Sequence, residues 1–291
     1  MRPQLSRGGA TVGEVVSRHA APVGGGTAPA GRLVGAVTRG TTAANRLRRV
    51  DRYLTGPLAP LLRTAAAPVV VDLGFGSSPV TVVELHRRLQ AVRADVRVLG
   101  VEIDPQRVAT ALPWAEPGLA FIRGGFEIPR PDGWPPPVLV RAFNVLRQYP
   151  ESEVPAAWTR ICGRLASGGM LIEGTCDEIG RRASWVTLDA GGPLRFTISL
   201  RLAGLQRPGE VAERLPKALI HHNVPGSPIH TWLAALDRAW AVAAPLQAHG
   251  TRQRWLAAVA SLRAAGQPIL DGPARWRLGE VSVPWLLVAP Q

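Results

Sequence analysis

Three consecutive β-branched residues run straight into a glycine-punctuated turn at Val69-Val70-Val71-Asp72-Leu73-Gly74-Phe75-Gly76. A short, uninterrupted apolar run of this kind reads as a strand buried on both faces, as in the middle of a parallel sheet. Ser78 and Pro79 follow as a cap and a first-turn proline, with Val82, Leu85, Leu89 and Val92 at helical spacing. The result is strand, glycine turn, helix. The pattern then repeats: a strand over Val96 to Glu102, and a helix opened by Asp104-Pro105 that carries Val108 and Leu112.

Two such units in series imply parallel strands joined by right-handed crossovers. Further strands are predicted at Leu119 to Ile122, Val138 to Phe143 and from Met170. A helix is predicted over 152–166, ended by Gly168-Gly169 as a left-handed cap. The expected fold is α/β, a Rossmann-like, mostly parallel sheet with helices on both faces. An N-terminal helical lead-in and a C-terminal helical elaboration extend it.

Beyond Gly174 the pattern changes. Leu194, Phe196, Ile198 and Leu200 alternate with polar residues, as in a half-exposed strand, and pair as a hairpin with Trp185 to Leu188. Helices at 229–244 and 252–265 follow, then strand-like residues from 275 to 288. Upstream, residues 1–38 read as a mobile arm with short helical pieces. Leu47, Val50, Leu54, Leu58 and Leu61 mark a helix face broken near Gly56-Pro57. Three segments result: a basic arm and helix (1–63), a cofactor-binding α/β core (64–200) and a C-terminal elaboration packed on it (201–291).

With 46% apolar and 19% charged residues, the chain has enough material for a substantial core and is not intrinsically disordered. No apolar run is long enough to span a bilayer, no signal peptide is visible, and two cysteines cannot build a disulfide scaffold, so a cytoplasmic protein is expected. The net charge of +13 is uneven: +8 over residues 1–63, 0 over 64–200 and +5 over 201–291. A basic flank can be a footprint for nucleic acid. Here nearly every basic residue is Arg, and Arg46, Arg48, Arg49 and Arg52 are read as a solvated face.

An acidic residue just before a Gly-x-Gly turn, at the carboxyl end of the first strand, builds a nucleotide or nucleoside site in parallel sheets. Backbone approaches ligand there, and the next helix presents free amides. Glu102, ending the second strand, is placed to accept both ribose hydroxyls. Pro79 stands where a dinucleotide fingerprint asks for glycine, which disfavours a nicotinamide enzyme. The only lysine, Lys217, lies far from the turn, so a phosphate-binding P-loop is excluded.

On these residues the sequence resembles the class I S-adenosylmethionine-dependent methyltransferases. Val69 to Ser78 is similar to their first motif, with Ser78 in place of its third glycine, and Gly100-Val101-Glu102-Ile103-Asp104 is similar to the second. Gly124-Gly125-Phe126-Glu127 stands where the adenine would lie, and Val140 to Tyr149 in the fourth-motif position. The resemblance covers about residues 68–175, and the lead-in Arg39-Gly40-Thr41-Thr42 to Arg52-Tyr53-Leu54 resembles that of methyltransferase-like proteins of high-GC bacteria. It implies S-adenosylmethionine as cofactor, with Asp72, Gly74, Gly76, Ser78, Glu102, Ile103, Gly125, Phe126 and Asn144 around it.

Methyl transfer from a sulfonium is an in-line displacement, so the protein mainly positions the acceptor and takes up a proton. Candidates near the mouth are Asn144, Arg147 and Tyr149 after the fourth strand, and Glu173 in the fifth. His221, His222 and His230 cluster in one turn, and His222 is the expected general base. No metal site is expected. The acceptor is a small molecule or a nucleic acid, and no membrane partner is expected. The alternative is a catalytically inactive methyltransferase-like protein that binds nucleic acid or another polyanion.

Overall fold

A computed structural model describes residues 33–291. Most of the expected arm, residues 1–32, lies outside the described residues.

Helices α1 (Arg48–Leu54) and α2 (Ala59–Thr64) lead into the sheet. Then come β1 (Val69–Leu73), α3 (Val80–Gln90), β2 (Arg97–Glu102), α4 (Pro105–Ala111), β3 (Leu119–Arg123) and β4 (Leu139–Phe143). Helix α5 (Val154–Cys162), β5 (Met170–Cys176), β6 (Arg182–Asp189) and β7 (Gly192–Leu200) follow. The chain ends with α6 (Lys217–Ile220), α7 (Pro228–Val242), α8 (Thr251–Ala264), α9 (Pro273–Trp276) and β8 (Glu280–Pro284). The strands form one eight-stranded sheet in the order β3-β2-β1-β4-β5-β6-β7-β8. Pairing is parallel from β3 through to β5 and antiparallel from β5 through to β8. This is the Rossmann-like fold read from the sequence, continued by an antiparallel wing.

Strand alternation sends Val71, Leu99, Val140 and Leu171 to a layer with α5, α7 and α8, rich in tryptophan at Trp158, Trp232 and Trp255. Val70, Val98, Leu139 and Ile172 face the opposite layer, filled by Tyr53, Leu54, Leu62, Leu85 and Leu89 from α1, α2 and α3. Each of these leucines contributes roughly 1.5–3 kcal/mol through its burial. Leu236, Trp232 and Trp240 on α7 are buried, so that tryptophan-rich face belongs to the core. No helix among the described residues is long and apolar enough to cross a membrane.

Four local readings are corrected. Helix α5 ends at Cys162, before Gly168-Gly169, because Arg164 N–H turns to Ile161 O and Ala166 N–H leaves for Pro137 O. Strand β7 is not half-exposed: Thr197 and Ser199 are fully buried, Ser199 under Arg49 of α1 at 3.2 Å and Thr197 beside Ser282 of β8 at 2.8 Å. Only Glu280–Pro284 of the strand-like tail is a strand, since the proline-started turn at α9 and the 3-10 turn at 285–287 flank it. Residues 33–38 carry no helix and lie docked on the sheet's carboxyl end.

The arginines of the lead-in are not a solvated face. Arg49 is buried and donates to Gly180 O (3.0 Å) and Ser199 Oγ (3.2 Å), and Arg52 pairs with Glu280 at 2.7 Å. Arg46 Nε donates to Asp177 O (3.0 Å), and Arg48 to Ile179 O (2.8 Å). Their length lets them reach past the apolar stripe to carbonyls of the loop after β5.

Candidate active site

After β1 the chain crosses to β2 on one side, and after β4 to β5 on the other, so the carboxyl ends of β1 and β4 flank a topological switch point. Gly74 (φ +73°) and Gly76 (φ +82°) turn the backbone there, a conformation that costs glycine little. Glu102, buried at the end of β2, accepts from Gly76 N–H (2.8 Å), Ile103 N–H (2.9 Å) and Asp104 N–H (3.3 Å). Arg107 lies 3.6 Å from the same carboxylate. Phe126 and Tyr149 form an aromatic corner next to it, with ring centroids 5.2 Å apart.

Asp72 plays a different part. Its carboxylate takes two hydrogen bonds from Arg141 of β4, at 2.9 and 2.6 Å, and Arg141 also binds Asp51 of α1 and Thr81 O (3.1 Å). Arg88 of α3 closes the group on Asp51. Burial alone would lower the Arg141 pKa, but the two carboxylates outweigh it and hold it above the usual value. Asp72 therefore braces the floor of the crevice and has no oxygen left without a strong partner.

Asn144 adopts a left-handed conformation (φ +61°) as the chain leaves β4. Its Oδ1 accepts from Cys176 N–H at 3.0 Å and its Nδ2 lies 3.4 Å from Cys176 Sγ, tying the ends of β4 and β5 together. Ser78 accepts from Val80 N–H at 3.3 Å and supports the start of α3 instead of lining the crevice. His222 bonds Glu151, just beyond Tyr149, and so stands at the rim; it lines neither cavity of the crevice. Glu173 points into the tryptophan layer, fully buried, and does not reach the mouth. Burial, with Arg214 nearby, lowers the pKa of Arg147, and its Nη1 is buried without a partner among the described residues. Among the described residues no cluster of His, Cys, Asp or Glu could hold a metal ion.

The sequence reading missed the segment Val34–Thr42, which lies along the whole crevice. Val34 O accepts from Phe126 N–H (2.8 Å), and Val34 N–H donates to Glu127 (2.9 Å). Ala36 N–H donates to the Tyr149 hydroxyl (2.5 Å), which donates back to Ala36 O (3.2 Å). Gln148 takes Arg39 N–H at 2.6 Å, Arg107 donates to Thr38 O at 2.8 Å, and Ser77 N–H donates to Gly40 O at 3.0 Å. Among the described residues the crevice holds a cavity of about 60 Å³ by Asp72, Gly76, Thr42 and Asn144, and one of about 20 Å³ by Glu102, Ile103, Gly125 and Phe126. Sites for small molecules usually measure about 300–1,000 Å³.

No protein-family model matches this chain, and no curated protein matches it in sequence. Among solved structures, human N-acetylserotonin methyltransferase in complex with S-adenosylmethionine is 20% identical, with a TM-score of 0.30 over 46% of this chain and 39% of that one. A TehB-like methyltransferase from Corynebacterium glutamicum is 19% identical, with a TM-score of 0.30 over 46% and 71%. Magnesium protoporphyrin IX methyltransferase from Synechocystis PCC 6803 is 18% identical, with a TM-score of 0.31 over 48% and 67%. The match thus spans well under half of the human enzyme.

Proposed function

We propose that this protein binds S-adenosylmethionine and transfers its methyl group to a small-molecule or nucleic-acid acceptor. The observation that carries this reading is the buried Glu102 carboxylate at the end of β2, beside the switch point, between the left-handed Gly74–Gly76 turn and the Phe126–Tyr149 corner. When bound, the cofactor supplies a carbon already activated by its sulfonium, so the chain needs no strong catalyst of its own. In chemistry these residues suit such a ligand: Glu102 for the ribose hydroxyls, Gly74 and Gly76 for close backbone approach, and Ile103, Phe126 and Tyr149 around the base. In space they do so only with Val34–Thr42 displaced.

Burial raises the Tyr149 pKa, so its hydroxyl stays protonated at neutral pH and serves as a donor. Glu151 fixes the orientation of the His222 imidazole at the rim, as suits a proton acceptor. The polyanion-binding alternative loses support from α1 and its approach, since Arg46, Arg48, Arg49 and Arg52 are engaged within the chain. The buried, unpaired thiols of Cys162 and Cys176 are in keeping with a reducing, cytoplasmic setting.

Calorimetric titration with S-adenosylhomocysteine, with NAD as control, tests the reading. Binding should appear with the first ligand only, and Glu102→Ala should weaken it by about 1.5–3 kcal/mol, the worth of hydrogen bonds to a charged group. Absence of binding, or an unchanged affinity in Glu102→Ala, would overturn the assignment. Once an acceptor is found, His222→Ala should lower turnover more than cofactor affinity.

A further inference from the structure

The geometry points to Val34–Thr42 being a strap that competes with the nucleoside cofactor for the crevice, so that the site is closed until the strap swings out. This rests on the cofactor reading above and adds a control on it. Gly35 is wedged into the aromatic corner: a Cβ there would stand 3.0 Å from the Tyr149 hydroxyl, 3.6 Å from Ile103 and 3.9 Å from Phe126. The strap also takes donors a nucleoside would need. Phe126 N–H is given to Val34 O, and a Cβ on Gly125 would collide with the same carbonyl.

At the other end, Gly40 sits on the glycine turn. A Cβ on Gly40 would come within 2.7 Å of Gly76 Cα and 2.8 Å of Arg107, so this approach tolerates glycine alone. Thr42 Oγ1 donates to Phe75 O at 2.9 Å and finishes the clasp. The strap thus spans both halves of the site, from the corner by Glu102 to the turn beside Asp72. Yet the strap's outer side is open to water: Gly35, Ala36, Val37 and Arg39 are exposed. The segment is held by hydrogen bonds, most of them with side chains, and buries little apolar surface, so it can open while the sheet stays folded.

A binding-competent state that is populated only in part lowers apparent affinity by that fraction, and weakening the strap should restore it. The experiment measures S-adenosylhomocysteine binding by calorimetry in the full chain, in Gly40→Val and in Gln148→Ala. Gly40→Val sets a side chain against the Gly76 turn and pushes the strap off it, while Gln148 lines neither cavity. Gln148→Ala removes an exposed side chain that holds both Arg39 N–H and Arg39 O. Expected are a Kd at least tenfold lower in Gly40→Val and several-fold lower in Gln148→Ala. In parallel, trypsin cleavage after Arg39 reports the strap directly. It should be slow in the free wild type, faster when the ligand is added, and fast in Gly40→Val without ligand.

Equal or weaker affinity in both variants, with Arg39 cut freely, overturns the inference: the strap would then be a wall the ligand needs. Tighter binding with no change in cleavage overturns it as well, because the strap would not have moved. If no protein binds the ligand while trypsin shows the strap released in Gly40→Val, the cofactor reading itself fails and the strap has no such rival.

Discussion

Two carboxylates on the same sheet, Asp72 on β1 and Glu173 on β5, are almost equally hidden, at 2% and 0% exposure, yet their surroundings differ in kind. Asp72 faces the layer under α1 and α3, where Arg141 grips it with two hydrogen bonds and Asp51 and Arg88 complete a balanced group. Glu173 faces the tryptophan layer, and among the described residues neither of its oxygens has a hydrogen-bond partner. Burial pushes its pKa from 4.5 up to about 8, so it is held as a neutral acid. Burial alone does not tell what an acid does; its partners do.

The largest effect should come from breaking the paired side. Arg141→Leu leaves Asp51 and Asp72 buried with too little positive charge, which typically costs about 3–5 kcal/mol. Urea unfolding should show that loss. A variant as stable as the wild type would mean that the two aspartates find water or protons at no cost, contrary to their burial. The double replacement Asp72→Asn with Arg141→Leu should recover part of the loss, since fewer charges are then stranded.

The unpaired side predicts a pH dependence. An acid whose folded pKa lies above its unfolded value stabilises the fold below the unfolded value, and that stability is lost as pH rises towards the folded one. For Glu173 the window runs from about pH 4.5 to about pH 8, and the loss across it is a few kcal/mol. Glu173→Gln should remove this slope: similar to the wild type near pH 5, it should be the more stable protein at pH 8. Urea midpoints of both proteins at matched pH isolate this group from all others. Parallel curves would sink the neutral-acid assignment.

The paired and unpaired acids looked alike in sequence, and this marks where sequence reading stops. β1, its glycine turn and Glu102 were legible because a β-branched run and a left-handed turn are local matters. The partner of Asp72 stands on another strand, and the cover of the crevice comes from Gly40 meeting Gly76, so neither has a local signal. The arginines of α1 and its approach were misread for the same reason. Helical spacing correctly put them off the apolar stripe, but the carbonyls of Asp177, Ile179 and Gly180 that hold them lie far along the chain. At the rim, the tie between His222 and Glu151 likewise joins segments that no pattern connects.

The smallest effect sharpens the unpaired side. The Trp158 indole lies beside Glu173 and favours its charged form without closing a hydrogen bond, and it holds that pKa below where burial alone would put it. Its indole N–H has no hydrogen-bond partner among the described residues. Trp158→Phe removes this weak pull, so the Glu173 pKa should rise further and the decline of stability with pH should reach beyond pH 8. The change should be a fraction of the slope that Glu173→Gln abolishes, on top of a uniform loss from trimming the Trp158 ring, which packs edge-on against Trp285. In Trp158→Phe combined with Glu173→Gln the uniform loss should remain and the pH-dependent part should vanish. A pH-dependent remainder in that double variant would show that some other group near Trp158 titrates in place of Glu173.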